Sequence, residues 1–164
     1  MLSQRSTLLA CSTLLATSLL SGCHSSKNER ALPPPEARRL LIDRNWIDRV
    51  PQSPTDRLHV FRFVPNMGGG VFQDRTLYAG QFELFQFDQD GSRIHFKLPH
   101  TGENVRVRFT IQPIAAPDED SPFELQLHID DSPRGPSDYF SLRGESSADL
   151  DGSLQRVISA AEAR

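Results

Sequence analysis

The chain has 164 residues, 37% of them apolar and 24% charged, a composition that supports one globular domain with a sizeable core and leaves little room for two. Its 18 basic and 21 acidic residues give a formal net charge of −3, which excludes the cationic excess expected of a nucleic-acid binder.

Residues 1–22, MLSQRSTLLACSTLLATSLLSG, join a short n-region with one charge, Arg5, to a mostly apolar run from Leu8 to Leu20. The run is too short and too rich in Ser and Thr for a membrane-spanning helix and reads as an export signal peptide. Leu20-Ser21-Gly22-Cys23 then resembles the bacterial lipobox, in which small residues before a cysteine admit the processing peptidase. The resemblance implies a lipoprotein that begins at Cys23, with a diacylglycerol on its thiol. Two or more palmitate-like chains on one residue anchor stably, because each buried methylene contributes about 0.8 kcal/mol. Cys11 leaves with the leader, so the mature chain has no disulfide in spite of an oxidising destination, and losing Arg5 brings its charge to −4. No Asp follows Cys23 in His24-Ser25-Ser26. By resemblance to enterobacterial sorting this implies the outer membrane, with the domain in the periplasm or at the cell surface.

Residues 23–35 are polar and then proline-rich, a tether that spans up to roughly 35 Å at about 3.1 Å per residue. Glu36 to Arg44 reads as a short helix after a proline start. Eight strands are then expected, at 45–50, 57–64, 71–78, 81–88, 92–98, 104–112, 123–130 and 137–143. The clearest are Ile94, Phe96 and Leu98 against Arg93, His95 and Lys97, and Val105, Val107, Phe109 and Ile111 against Arg106, Arg108 and Thr110. In 81–88, Phe82 and Leu84 are out of phase with Phe85 and Phe87, which predicts a bulge or a strand covered on both faces. Asp90-Gly91 is a hairpin turn signal. The short gaps favour antiparallel neighbours. Leu150, Leu154, Val157 and Ile158 lie at helical spacing, so residues 145–164 are expected to end in an amphipathic helix on the outside of the sheet.

Eight one-sided antiparallel strands, with a tryptophan in the first and a helix after the last, resemble the lipocalin-like, or calycin, up-and-down barrels. The resemblance spans Asn45 to Arg143, within a barrel domain of 36–144. The family's Gly-x-Trp is matched here by Arg44-Asn45-Trp46, without the glycine, and the arginine that stacks on that tryptophan is matched by position to Arg143. A two-sheet β-sandwich would satisfy the same alternation. An eight-stranded barrel either is filled by side chains or holds one small ligand. On the second reading Phe82, Leu84, Phe96, Phe109, Phe123 and Leu125 line a pocket for a lipid or fatty acid. On the first they form a solid core, and the protein has a structural or interaction role with an envelope partner.

Little in the chain points to chemistry. The five histidines, His24, His59, His95, His100 and His128, show no metal-binding spacing; the strand histidines read as outward, and His100 lies in a rim turn. Asn66-Met67-Gly68-Gly69-Gly70 lacks the Lys-Ser/Thr of a phosphate loop and reads as a mobile hairpin loop. Asp88-Gln89-Asp90-Gly91 and Asp118-Glu119-Asp120 carry too few ligands for calcium. With no nucleophile elbow or metalloprotease helix, the expectation is a non-enzymatic protein without metal or cofactor. Its expected partners are the membrane, through its anchor, a small apolar ligand or an envelope protein.

Overall fold

The computed structural model describes residues 30–42, 44–115 and 121–144, together with Arg156 and Ser159. The leader, Cys23, the rest of the tether up to residue 29 and nearly all of the expected C-terminal helix lie outside the described residues.

Helix α1 (Pro34–Leu41) is followed by β1 (Asn45–Ile47), β2 (Leu58–Val64), β3 (Gly69–Arg75), β4 (Gly80–Asp90), β5 (Arg93–Leu98), β6 (Glu103–Pro113), β7 (Phe123–Ile129) and β8 (Asp138–Leu142). Each strand pairs antiparallel with the next, and β1 pairs with β8, so the sheet closes into a barrel in the order β1 to β8. The up-and-down barrel is therefore the fold, and the sandwich alternative is set aside. Hairpin-length connections leave no path for parallel crossovers.

Trp46, Phe61, Phe63, Phe85, Ile94, Phe96, Phe109, Ile111, Leu127, Ile129 and Tyr139 meet inside the barrel, each almost wholly buried. Phe61 sits centrally. Its ring centroid lies 4.9 Å from that of Phe72, 5.7 Å from Phe85, 5.9 Å from Phe96 and 5.1 Å from Tyr139. These tilted and edge-on contacts suit the ring quadrupoles and occupy the barrel axis.

One end is plugged. Pro34 presets the first turn of α1, and the helix buries Ala37 and Leu41 against the core. The Trp46 indole N–H donates to the Leu41 carbonyl at 2.9 Å, and the Leu32 amide donates to the Ile111 carbonyl at 2.8 Å. The family arginine expected from Arg143 is not laid across Trp46: Arg143 is exposed in the turn after β8. Arg44 instead reaches into this end, donating to Glu124 at 2.5 Å and to the buried Ser141 hydroxyl at 2.9 Å.

Two expectations about inward residues are corrected. β4 carries 83, 85 and 87 inward, so Phe82 and Leu84 face solvent, 74% and 63% exposed. The expected bulge is absent from β4, whose first half pairs with β3 and second half with β5 in one continuous phase. Phe123 lies opposite Leu142 across a register shift in β7. It stacks on Phe140 at 5.0 Å and joins Ile47, Leu58, Val60 and Leu142 in a second cluster outside the wall. Phe96, Phe109 and Leu125 do line the interior.

Residues 66–70 also differ from the mobile loop expected. Pro65–Met67 forms a 3-10 turn and Gly69-Gly70 opens β3. A Cβ on Gly70 would stand 2.4 Å from the Arg62 carbonyl oxygen and from the Phe85 ring, and one on Gly69 would stand 2.0 Å from the Phe85 oxygen. The glycines are needed for the close approach of β3 to Phe85 of β4.

Candidate functional site

The end opposite α1 collects the β1–β2, β3–β4, β5–β6 and β7–β8 connections and is lined by polar side chains. His59 is the first inward residue of β2, not an outward one. Its ring is stacked 6.0 Å from that of Phe72 and held between two carboxylates. Asp48, with a side chain only 2% exposed, faces Nδ1 at 2.8 Å and accepts the His59 amide N–H at 2.9 Å. Asp74 lies 3.7 Å from Nε2 and accepts a two-point contact from Arg57, which raises the Arg57 pKa.

Across the rim, the β7–β8 loop is held down by Arg134. Its guanidinium donates from Nε to Glu83 at 2.6 Å and from Nη2 to the other Glu83 oxygen at 3.1 Å. Nη2 also reaches Glu103 at 3.3 Å. The Thr101 hydroxyl, followed by the Arg134 hydrogen bond, keeps the Glu103 carboxyl below its ordinary range. The Glu83 hydrogen bonds raise the Arg134 pKa. Tyr139 donates its hydroxyl to the Arg134 carbonyl at 3.0 Å. Burial, with a smaller contribution from the Asp48 charge, pushes the phenol upward. The next residue, Gly135, has φ +65, and a Cβ there would meet the Tyr139 hydroxyl at 2.5 Å.

An open cleft of about 760 Å³ lies beside this latch, bounded by Phe72, Asp74, Glu83, Pro99, His100 and Arg134, with Phe82 and Leu84 on its outer lip. It sets an apolar wall beside the Arg134 guanidinium, which Glu83 and Glu103 engage. Among the described residues, no group of three or more His, Cys, Asp or Glu side chains is placed to hold a metal ion. The hydrogen bond between His59 Nδ1 and Asp48 fixes the orientation of the ring.

The residues foreseen as a lining therefore divide: Phe96, Phe109 and Leu125 are core, Phe82 and Leu84 are surface, and Phe123 belongs to the outer cluster. Trp46 and Arg143 are not brought together as a closing pair. The rim set of Asp48, His59, Asp74, Glu83, Glu103 and Arg134 was not foreseen. Repeated Asp-Arg neighbours at 48–49, 56–57 and 74–75 were the available signal. Arg57 and Asp74 pair across strands, whereas Asp48 and Arg49 pair with each other at 3.1 Å. In comparison with known proteins, no family model, no curated protein and no solved structure matches this chain.

Proposed function

We propose that the protein is a non-enzymatic envelope lipoprotein, moored through acylated Cys23, whose solid lipocalin-like barrel serves as a rigid scaffold that presents its rim and outer faces to partners. The packed axis carries this reading. Phe61, Phe63, Phe85, Phe96 and Tyr139 fill the volume that a carrier would keep for its cargo, and each aromatic truncation in such a core costs about 3–5 kcal/mol. A ligand in the barrel would have to displace those rings. The outer membrane is the proposed location, on the resemblance of Cys23 and the residues after it to sorted lipoproteins.

A second reading keeps a small apolar ligand but moves it to the rim, because the cleft beside Arg134 sets Phe72 and Pro99 next to a guanidinium. Mass spectrometry of protein purified from its own membranes separates the two. The scaffold reading expects a mature chain that starts at diacylated Cys23, stays unprocessed in Cys23→Ser, and carries no further lipid under native conditions. A co-purifying fatty acid lost in Arg134→Met would replace it with the rim-ligand reading. An unmodified Cys23 would remove the anchor.

A further inference from the structure

Tyr78, Phe82 and Leu84, which are 76%, 74% and 63% exposed, are the large apolar side chains most open to solvent in the described structure, and all three belong to the β3–β4 hairpin. Phe82 and Leu84 share the outer face of β4, with Val71 directly opposite Leu84 on β3, and Tyr78 stands in the connection at the hairpin tip. A cluster of this kind on an otherwise polar surface marks a contact site.

The adjoining outer face, on β5 and β6, is basic in a protein of net negative charge. Arg93 and Lys97 on β5 are exposed beside Arg106 and Arg108 on β6, with His95 between them. The register sets Arg93 directly opposite Arg108 and His95 opposite Arg106. Like charges placed opposite each other weaken a sheet, so folding alone gives no reason for this pairing. Asp90 answers Arg106 at 2.9 Å, while among the described residues Arg93, Lys97 and Arg108 form no ion pair. Lys97 lies opposite Gln86, two positions along β4 from Leu84, so the apolar and basic areas form one continuous surface.

We propose that this face of β3 to β6 lies against the anionic phospholipid surface of the membrane that holds the anchor, with Phe82, Leu84 and Tyr78 in the interfacial zone and the four cations over the headgroups. The proposal rests on the lipoprotein reading. It is favoured over a protein partner by the pairing of apolar tips with a face on which Arg93, Lys97, Arg106 and Arg108 outweigh Asp88 and Asp90, which stand opposite His95 and Arg93, and by the length of the mooring. Nine peptide steps separate Cys23 from Leu32, which is fixed to Ile111 at the plugged end; extended at about 3.1 Å each they reach about 28 Å. β4 has 11 residues, which at about 3.3 Å each and a tilt near 40° also gives about 28 Å of barrel height. The tether therefore lets the barrel lie on its side.

The test uses the full acylated chain in vesicles of phosphatidylethanolamine and phosphatidylglycerol that contain brominated lipid. Once Cys11 has left and Cys23 is acylated, an environment-sensitive thiol label reports only from an introduced cysteine. Phe82→Cys should give a blue-shifted emission quenched by the bromines. Arg143→Cys, beside β8 on the far side of the barrel, should give neither. Raising the salt, or adding Arg93→Glu and Lys97→Glu, should abolish the quenching at 82 while the protein still floats with the vesicles, since screening and charge reversal act on the face and not on the acyl chains. Floating protein with an unquenched label at 82 would overturn the proposal and leave the anchor standing. A chain that does not float at all would overturn both. A label at 82 that is shielded from lipid but crosslinks to its counterpart on another molecule would assign the face to a second copy, and the membrane proposal would fall.

Discussion

At the plugged end of the barrel, polar contacts serve packing: Trp46 donates to Leu41 and Arg44 reaches Ser141 and Glu124, while α1 seats Ala37 and Leu41 on the core. At the open rim the proportions reverse, and Asp48, His59, Asp74, Glu83, Glu103 and Arg134 surround Phe72 and Tyr139. One end is sealed mainly by apolar burial, which is insensitive to pH, with the Arg44–Glu124 ion pair at its edge. The other is latched by charge, which is sensitive to it. Stability and surface chemistry are thus kept at opposite ends of one small barrel.

The largest effect that would sharpen this contrast is expected at the plug. Leu41→Ala should destabilise by about 2–5 kcal/mol, read as a lower midpoint in urea, with little change between pH 4 and pH 9. Gly70→Ala should cost about 1–3 kcal/mol, because its Cβ meets the Arg62 carbonyl and the Phe85 ring; an unchanged melting temperature would mean that β4 is not pressed against β3 there. Arg134→Met at the rim should cost only about 1 kcal/mol at neutral pH, since the ion pair is partly screened by solvent.

The same variant should also change the response to acid. The Glu103 carboxyl ionises more readily in the fold than the ordinary value of 4.5, so its contribution is present above that pH and lost as pH falls through the lowered folded value. Acid unfolding should be shallower in Arg134→Met. At alkaline pH the sign is opposite. Tyr139 is held neutral above its ordinary value of 10.0, so its contribution is complete below pH 10 and is lost as pH rises through the raised folded value. Alkaline titration of stability should show a decline that Tyr139→Phe flattens. The smallest effect belongs to the hairpin surface, where Phe82→Ser should stay within about 0.5 kcal/mol of the parent.

The sequence carried most of the fold, through strict alternation in β5, β6 and β7 and turn-length gaps between strands. It misled where two hydrophobic phases competed. In β4, Phe82 and Leu84 are as apolar as Phe85 and Phe87, and the choice falls to Glu83, drawn inward by an arginine 51 positions away. No local pattern holds that information. Phe123 was misplaced by a register shift, which moves a side chain to the other face without altering the alternation around it. Arg143 matched a family position in number, yet Arg44 is the arginine that enters the barrel end, because α1 already covers Trp46. The rim was legible only as repeated Asp-Arg neighbours, whose partners depend on strand order and on loops that fold back over the mouth.

β1 is only three residues long, and its backbone register with β8 is the single pair Ile47 and Phe140. Around that pair the join is made by side chains: Arg44 bridging to Ser141 and Glu124, and Ile47 buried with Leu142. A cylinder stitched in this way has a built-in line of parting. It can gape along one side while the remaining ladders stay intact, and amide exchange near Ile47 would time that breathing.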